Sequence, residues 1–304
     1  MEDYNKIIES LEIRYVKAKN INILKPVKIE NNYEVENFLV VVTSGEIRFG
    51  KEKETAKEGD VLFVPGGRAV SIAYGSGNAT VLSKDDFLTN KDLYLRSYSS
   101  EPQTQEHYSY VSFDAKAFDS VNFFASLDIP CFKIEEHFKL AGLIKQINQE
   151  TYSTMAGRER MVKVLTESMV IELIRHILNN GLFVEKLATN STYFKDPRLI
   201  DIFTFIKENI AEDLSNKVLA NVANVSEDYV GQYFKMLTGI NPQDYIEYQR
   251  MEAAVNLLRT SKKSIRDIGK DVGYKDTAYF CRRFKMMFGI PAGKMRRRES
   301  LMNV

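Results

Sequence analysis

The chain has 304 residues, of which 44% are hydrophobic and 27% charged, and its formal net charge is +1. This composition is ordinary for a soluble globular protein that is long enough for two domains, each with its own core. Its two cysteines, Cys131 and Cys281, do not make a disulfide framework, and no apolar run approaches the roughly 20 residues of a membrane span. The charged N-terminus does not resemble a signal peptide, so we expect a cytoplasmic protein without a membrane partner.

The charge is unevenly distributed along the chain. Residues 1–195 contain 24 Lys and Arg against 27 Asp and Glu, and residues 196–260 contain 6 against 10. Residues 261–304 contain 12 basic and 4 acidic residues. Because basic side chains attract phosphate, this last segment is where the sequence favours contact with nucleic acid.

Short strands separated by turn residues are predicted over much of residues 1–115. The runs lie at 37–42, 46–49, 61–64, 69–74 and 108–113. Such spacing is typical of a small β-barrel or a double-sheet roll. The phrase GDVLFVP at 59–65, which follows GEIRF at 45–49, resembles a cupin jelly roll. We therefore expect an α+β chain of two domains, with a cupin-like barrel or jelly roll and trailing helices at the N-terminus.

A metal centre is not predicted in this domain. Metal-dependent cupins need several N and O ligands that converge from adjacent strands. The three histidines, His107, His137 and His176, all lie outside the strands of residues 38–74. We expect no metal and no other cofactor, so the domain either binds a small-molecule effector or serves as a structural, dimerising module. Both alternatives stay open, because the interior is apolar in either.

Helical periodicity replaces the strand pattern after residue 116, with helices predicted at 118–127, 133–152 and 159–179. The apolar stripe of the last two, which begins at Phe138, indicates helices packed on their own domain. The alternative is a pair of dimerisation helices, which would suit a protein that reads two half-sites. The predicted boundaries are a first domain at 1–185 with helices at 118–180, a linker at 186–196 and a second domain at 197–304.

Two stretches of the second domain, about 214–239 and 264–289, share one layout: a short helix, a tight turn and a second helix. Asn224 and Gly273 stand at the turns, where a left-handed conformation is needed. Ser226 and Asp276 are predicted to cap the second helices. A helix of about 18 residues that begins at Pro242, roughly 27 Å long, joins the stretches. This layout is typical of helix-turn-helix DNA readers spaced near one DNA turn.

Three phrases of the second domain carry a resemblance to a known family. They are SEDYVGQYFKMLTGINP from Ser226, RMEAAVNLL from Arg250 and GYKDTAYFCRRFKMMFGIP from Gly273. They resemble the AraC/XylS family of bacterial transcription regulators, whose DNA-binding domain has two helix-turn-helix units joined by a long helix. The resemblance implies a sequence-specific regulator of transcription, with double-stranded promoter DNA and RNA polymerase as partners. It also implies a sensing or dimerising domain in front, so a homodimer and an unidentified small-molecule effector are open alternatives.

The resemblance also implies which side chains meet DNA. The candidates for base contacts are Glu227, Asp228, Gly231 and Gln232 in the first unit, and Thr277, Ala278, Cys281 and Arg282 in the second. The candidates for phosphate contacts are Ser226, Lys235, Arg283, Lys285, Lys294 and Arg296, with the rest of the basic tail at 294–298. Among them, Arg282 is predicted to form a bidentate contact with a guanine edge, worth about 1–3 kcal/mol of discrimination.

Two features of the second domain, its acidic residues at 227–228 and Gly269, need separate consideration. Glu227 and Asp228 either accept from cytosine or only stabilise the N-terminus of their helix, and we favour the second role. Gly269 stands where the family has Ala, which is predicted to weaken its helix by up to about 1 kcal/mol. The acidic first unit also suits an interaction protein with weakened DNA binding that titrates other regulators. A metal-dependent cupin enzyme is the remaining alternative, but its ligand cluster is not visible, so no catalytic residue is predicted.

Overall fold

The computed structural model describes residues 5, 8, 9, 11–50, 54–99, 101–117, 121–126, 129–183, 196–238 and 241–296. These residues form two compact units, one within 8–125 and 129–183 and the other within 196–296. Among the helices of the described ranges, none is both long and apolar enough to span a bilayer.

The first unit is built on two sheets. Its strands are β1 Leu11–Ile23, β2 Val27–Glu34, β3 Asn37–Ser44, β4 Glu46–Phe49, β5 Glu54–Lys57, β6 Val61–Val64, β7 Arg68–Tyr74, β8 Thr80–Leu82, β9 Leu95–Tyr98, β10 His107–Ala117, β11 Val121–Asn122 and β12 Phe132–Ile134. One sheet has the order β12-β6-β3-β10-β1-β9, with β11 beside β10, and the other has the order β5-β4-β7-β2-β8. The described strands thus adopt the double-sheet form, and they do not close into a single barrel.

The core of this unit lies between the two sheets. Val40 and Leu62 of the first sheet join one buried cluster with Ile47, Phe49 and Ile72 of the second. The opposite face of the first sheet packs against two helices, α3 Phe138–Thr151 and α4 Arg158–Asn179. Because side chains alternate between the faces of a strand, burial of both faces explains the unbroken apolar run of β6. The α3 and α4 stripes therefore pack on their own domain, as expected.

Several boundaries of the first unit differ from the prediction. Of the helix predicted at 118–127, the described part is helical only at α2 Phe123–Ser126, because Val121–Asn122 forms β11; residues 118–120 and 127 lie outside the described residues. The helix predicted at 133–152 begins only at Phe138, because β12 pairs with β6. Phe138 is 85% exposed and contributes nothing to the apolar stripe. The sequence patterns also did not reveal the long β1 or the short α1 Lys84–Thr89.

The second unit consists of helices. They are α5 Pro197–Glu208, α6 Asn216–Ala223, α7 Glu227–Thr238, α8 Pro242–Thr260, α9 Ile265–Asp271 and α10 Thr277–Phe288. Helices α6–α7 and α9–α10 are the two predicted helix-turn-helix units, and the 19-residue α8 connects them. Of the predicted linker, residues 186–195 lie outside the described residues, as does Gly239, which was predicted to end α7.

Candidate nucleic-acid interface

The turn of the first helix-turn-helix unit is made by Asn224. Its φ of 53° and ψ of 44° are left-handed, a conformation that Asn tolerates better than most residues. Ser226 comes directly before α7, and its backbone carbonyl accepts a 3.0 Å hydrogen bond from Val230 N–H. Val230, Tyr233 and Phe234 are buried, so the opposite side of α7 faces solvent. The first helix-turn-helix unit therefore has the turn and the helix orientation that the sequence predicts.

The turn of the second helix-turn-helix unit requires glycine for two reasons. Gly273 has a φ of 88°, and a Cβ atom there would lie 2.8 Å from the Ile210 carbonyl oxygen and from the Arg250 guanidinium. Arg250 of α8 is itself fixed, because its Nε donates to the Ile210 oxygen at 3.0 Å and its Nη2 to the Glu212 oxygen at 2.8 Å. The long helix therefore holds the second turn against the α5–α6 connection.

Capping and aromatic packing orient α10. The Asp276 carboxylate accepts from Tyr279 N–H at the start of the helix, and Gly289 ends it with a left-handed φ of 73°. Phe280, Phe284 and Phe288 form its buried face.

Gly269 of α9 makes room for α10. A Cβ atom on Gly269 would lie 3.2 Å from the Phe280 ring, which is tighter than ordinary van der Waals contact. The glycine thus has a packing role in addition to its predicted cost in helix propensity.

The predicted base-contact residues lie on the solvent-facing sides of α7 and α10 or at their margins. Exposed members are Glu227, Asp228 and Gln232 on α7, and Ala278 and Arg282 on α10; half-buried members are Gly231, Thr277 and Cys281. Of the predicted phosphate contacts, Ser226, Lys235 and Lys285 are exposed. The exposed side of each second helix is thus acidic at the start of α7 and basic on α10.

Two of the predicted phosphate contacts have other roles in the structure. Arg283 forms two hydrogen bonds with the Glu247 carboxylate of α8, one of them 2.5 Å long from Nε. This pairing raises the pKa of Arg283 and ties α10 to α8. Arg296 donates from Nη2 to the Lys263 backbone oxygen at 2.5 Å. Both guanidinium groups thus have partners within this unit, and their assignment to phosphates stays a prediction. Arg297 and Arg298 lie outside the described residues.

A cluster that the sequence analysis missed connects α5 to α7. Asp196 caps α5 and pairs with the Arg198 guanidinium, with Nη2 2.9 Å from Oδ2, and it accepts from the Tyr233 hydroxyl. The hydrogen bond from Arg198 is the main reason that the pKa of Asp196 falls to about 2. Burial, more than any other cause, raises the pKa of Tyr233 to about 12. In the sequence, Asp196-Pro197-Arg198 indicates the start of a helix, but it does not identify Tyr233 as a partner of Asp196.

The histidines of the first unit show no metal-binding arrangement. Within the described residues, no three His, Cys, Asp or Glu side chains are grouped so that they could hold a metal ion. His137 and His176 do meet, with ring centroids 5.2 Å apart, and the Glu172 carboxylate lies 3.8 Å from His137 Nε2. His137 Nδ1 is occupied as the cap of α3, where it accepts from Leu140 N–H. These side chains therefore connect α3 with α4.

Comparisons with known proteins concern mainly the second unit. A family model described as a helix-turn-helix domain matches residues 219–298. An uncharacterized HTH-type transcriptional regulator of Haemophilus influenzae is 26% identical over 159 residues, which are 52% of each chain. The TetD protein of transposon Tn10 from Escherichia coli is 30% identical over 114 residues, or 38% of this chain and 83% of TetD. The chain spans about half the length of several curated regulators that it matches.

Solved structures of ToxT from Vibrio cholerae are similar to this chain over both units. The crystal structure of an apo ToxT variant from Vibrio cholerae covers 94% of this chain and 97% of its own, with a TM-score of 0.55. At 9% identity this likeness concerns the fold alone. A β-rich unit followed by a helical unit is therefore an arrangement that this chain shares with ToxT.

Proposed function

The chain belongs to the AraC/XylS family of bacterial transcription regulators, and on this premise we propose that it is a sequence-specific, DNA-binding regulator of transcription. The observation that carries the proposal is the surface of α10, where Arg282 and Lys285 are exposed on a capped, well-packed second helix. In helix-turn-helix proteins such a helix enters the major groove with its N-terminal half near the bases. We place α10 there, and α7 in the adjoining groove.

Arg282 is the residue that we assign to guanine. Its side chain is exposed, and in the described residues it has no ion pair with a carboxylate, unlike its neighbour Arg283. The guanidinium lies 6.0 Å from the centroid of the Tyr279 ring, beside the helix surface. A free, planar donor fork in this position fits the O6 and N7 acceptors of a guanine. Thr277, Ala278 and Cys281 are assigned to the flanking bases.

Lys235 and Lys285 are assigned to phosphates, with Ser226 at the N-terminus of α7. Both lysines are exposed, and they occupy equivalent positions of the two second helices. Each phosphate that a lysine neutralises releases condensed counterions, so affinity must fall as salt rises. The proposal therefore predicts a steep salt dependence.

Footprinting on DNA upstream of the protein's own gene and its neighbours tests this function. We expect one or more protected sites, and the logarithm of the affinity for a protected site should fall linearly with the logarithm of salt concentration. Binding that is indifferent to salt, or protection without any sequence preference, would contradict the proposal. The same experiment decides against the alternative of an interaction protein that titrates other regulators, which the acidic α7 surface favours.

We further propose that the first unit controls DNA binding, either by dimerisation or by binding a small molecule. We place the protein in the cytoplasm, with RNA polymerase as its partner at the promoter. Support for a dimer comes from α4, where Met161 and Val164 are exposed apolar side chains. Sedimentation of the full chain against Val164→Asp tests it, since a dimer through this surface should dissociate on substitution. We propose no catalytic activity and no cofactor.

A further inference from the structure

The repeat places one exposed tyrosine at the same position of each second helix. Tyr229 is the third residue of α7, and Tyr279 is the third residue of α10. Their exposed fractions are 45% and 48%. Within residues 196–238 and 241–296, neither hydroxyl has a hydrogen-bond partner. Neither side chain belongs to the base or phosphate contacts assigned above.

Aromatic and cationic neighbours hold both rings. Tyr229 stacks on Tyr233 with centroids 5.4 Å apart and an interplanar angle of 21°, and Arg198 lies 4.7 Å from the Tyr233 ring centroid. Tyr279 lies 6.1 Å from the Tyr274 ring, centroid to centroid, and its own ring is approached by Arg282. The rings are therefore restrained on one side, while both side chains stay about half exposed. A group held in this way loses little conformational entropy when it binds.

The position of each tyrosine on its helix indicates what it faces. Residues three apart in an α-helix are separated by about 60° around the axis. Tyr279, Arg282 and Lys285 therefore form an arc with the arginine in the middle. Tyr229, Gln232 and Lys235 form the same arc on α7. When Arg282 points into the major groove, Tyr279 lies on the side of the helix away from Lys285 and Cys281, so the tyrosine faces the phosphate edge on that side.

We propose that Tyr229 and Tyr279 are positioning residues that donate their hydroxyl hydrogens to DNA phosphates, on the groove edge opposite to Lys235 and Lys285. This rests on the proposed function, since it needs α7 and α10 in the groove. Tyrosine hydroxyls are common donors to phosphate, and such contacts fix the register of a helix without reading sequence. A reading helix with a phosphate contact on each side is prevented from rolling, so the base contacts of Arg282 keep their geometry.

The test uses the full chain with Tyr229→Phe, Tyr279→Phe, and Tyr152→Phe as the matched control. Tyr152 is a similarly exposed tyrosine of the first unit. The probe is a duplex enriched from random DNA by repeated rounds of binding, compared with a random-sequence duplex of equal length. We expect each of the first two variants to bind about threefold to tenfold more weakly, the range of one hydrogen bond. The factor should be similar on both duplexes, and Tyr152→Phe should bind as the unsubstituted chain does.

Salt dependence separates this contact from a lysine contact. A neutral phenol releases few counterions, so Tyr279→Phe should keep the salt slope of the unsubstituted chain, whereas Lys285→Gln should reduce it by about 1. A neutral methylphosphonate placed at single backbone positions adds a direct check. At one position the methylphosphonate should lower the affinity of the unsubstituted chain, whereas Tyr279→Phe should bind this duplex as strongly as the unmodified duplex.

The possible results are distinct. Two results would overturn the phosphate assignment while the regulator function stands. One is full affinity of both phenylalanine variants, and the other is a loss of affinity that depends on the identity of a single base pair. Failure of the unsubstituted chain to bind any duplex would overturn both proposals. Thermal unfolding of the variants controls for folding, and removal of an exposed hydroxyl should leave it unchanged.

Discussion

The two helix-turn-helix units of this chain have the same frame and different surfaces. Val230 and Phe234 of α7 are buried as completely as Phe280 and Phe284 of α10. On the exposed side, α7 begins with Glu227 and Asp228, whereas α10 has a free arginine. Buried, capping and turn positions therefore determine the frame, and the groove surface varies independently of them.

The turns show a second difference between the units. Asn224 reaches a left-handed conformation on its own, and a short polar side chain is enough for it. Gly273 is additionally confined by Arg250 and by the Ile210 carbonyl, which come from outside its unit. The second unit is therefore fixed to the rest of the domain at its turn, and also along α10 through Arg283 and Glu247.

Truncation of the equivalent core phenylalanines gives the largest expected effect. Phe234→Ala and Phe284→Ala should each lower the free energy of unfolding by about 3–5 kcal/mol, because both rings are fully buried. Chemical denaturation measures the change, with Met286→Ala as a control at a 72% exposed position. A shared frame requires similar losses from both substitutions. A loss below about 1 kcal/mol in one of them would show that the units are supported differently.

Substitution at the turns should separate the units. Gly273→Ala combines a left-handed backbone with a contact of 2.8 Å, so we expect a loss of about 2 kcal/mol or more in stability. Asn224→Gly keeps its turn and should change stability by no more than about 1 kcal/mol. Thermal unfolding of the two variants provides the measurement. Equal losses would mean that the confinement of Gly273 has no energetic consequence.

Replacement of the reading residues tests the difference between the surfaces. Arg282→Ala should lower specific affinity at least about tenfold in a gel-shift assay, because a bidentate guanine contact is lost. Gln232→Ala on α7 should have a smaller effect. Arg283→Ala serves as the control, since its loss should weaken the α8–α10 contact and leave base preference unchanged. Unchanged binding by Arg282→Ala would refute the assignment of this residue.

Local signals explain which parts of the fold were predictable. The bounds of β4 and β6 follow from short apolar or alternating runs between turn residues. The cap at Asp276 depends only on the three following residues, and it is confirmed. The strand β12 was missed because it is stabilised by pairing with β6, far away in the chain. Its own residues have a helical pattern.

The same limit applies to the interface. Sequence spacing places Phe280, Phe284 and Phe288 on the buried side of α10, and this is confirmed. The same spacing also places Tyr279 there, which is wrong, since that side chain is 48% exposed. Spacing did not distinguish Arg282 from Arg283, which are adjacent and chemically alike. Glu247 is 36 positions away, and only the packing of α8 on α10 shows that it neutralises Arg283. Partners separated by a whole element cannot be inferred from local pattern.

The acidic start of α7 is the basis of the smallest and most discriminating prediction. One role of Glu227 and Asp228 is to stabilise the N-terminus of α7 through the helix dipole. If this is their only role, the double variant Glu227→Gln, Asp228→Asn should have a free energy of unfolding lower by about 0.3–1 kcal/mol per charge, and it should bind DNA more tightly. Asp244→Asn, in the first turn of α8, is the matched control, because it removes the same kind of charge away from the reading surface. We expect stability to fall in both and affinity to rise only in the double variant. Weaker binding together with lost preference at a cytosine would instead mean that α7 reads bases with its carboxylates. The two units would then both read sequence, with opposite charges.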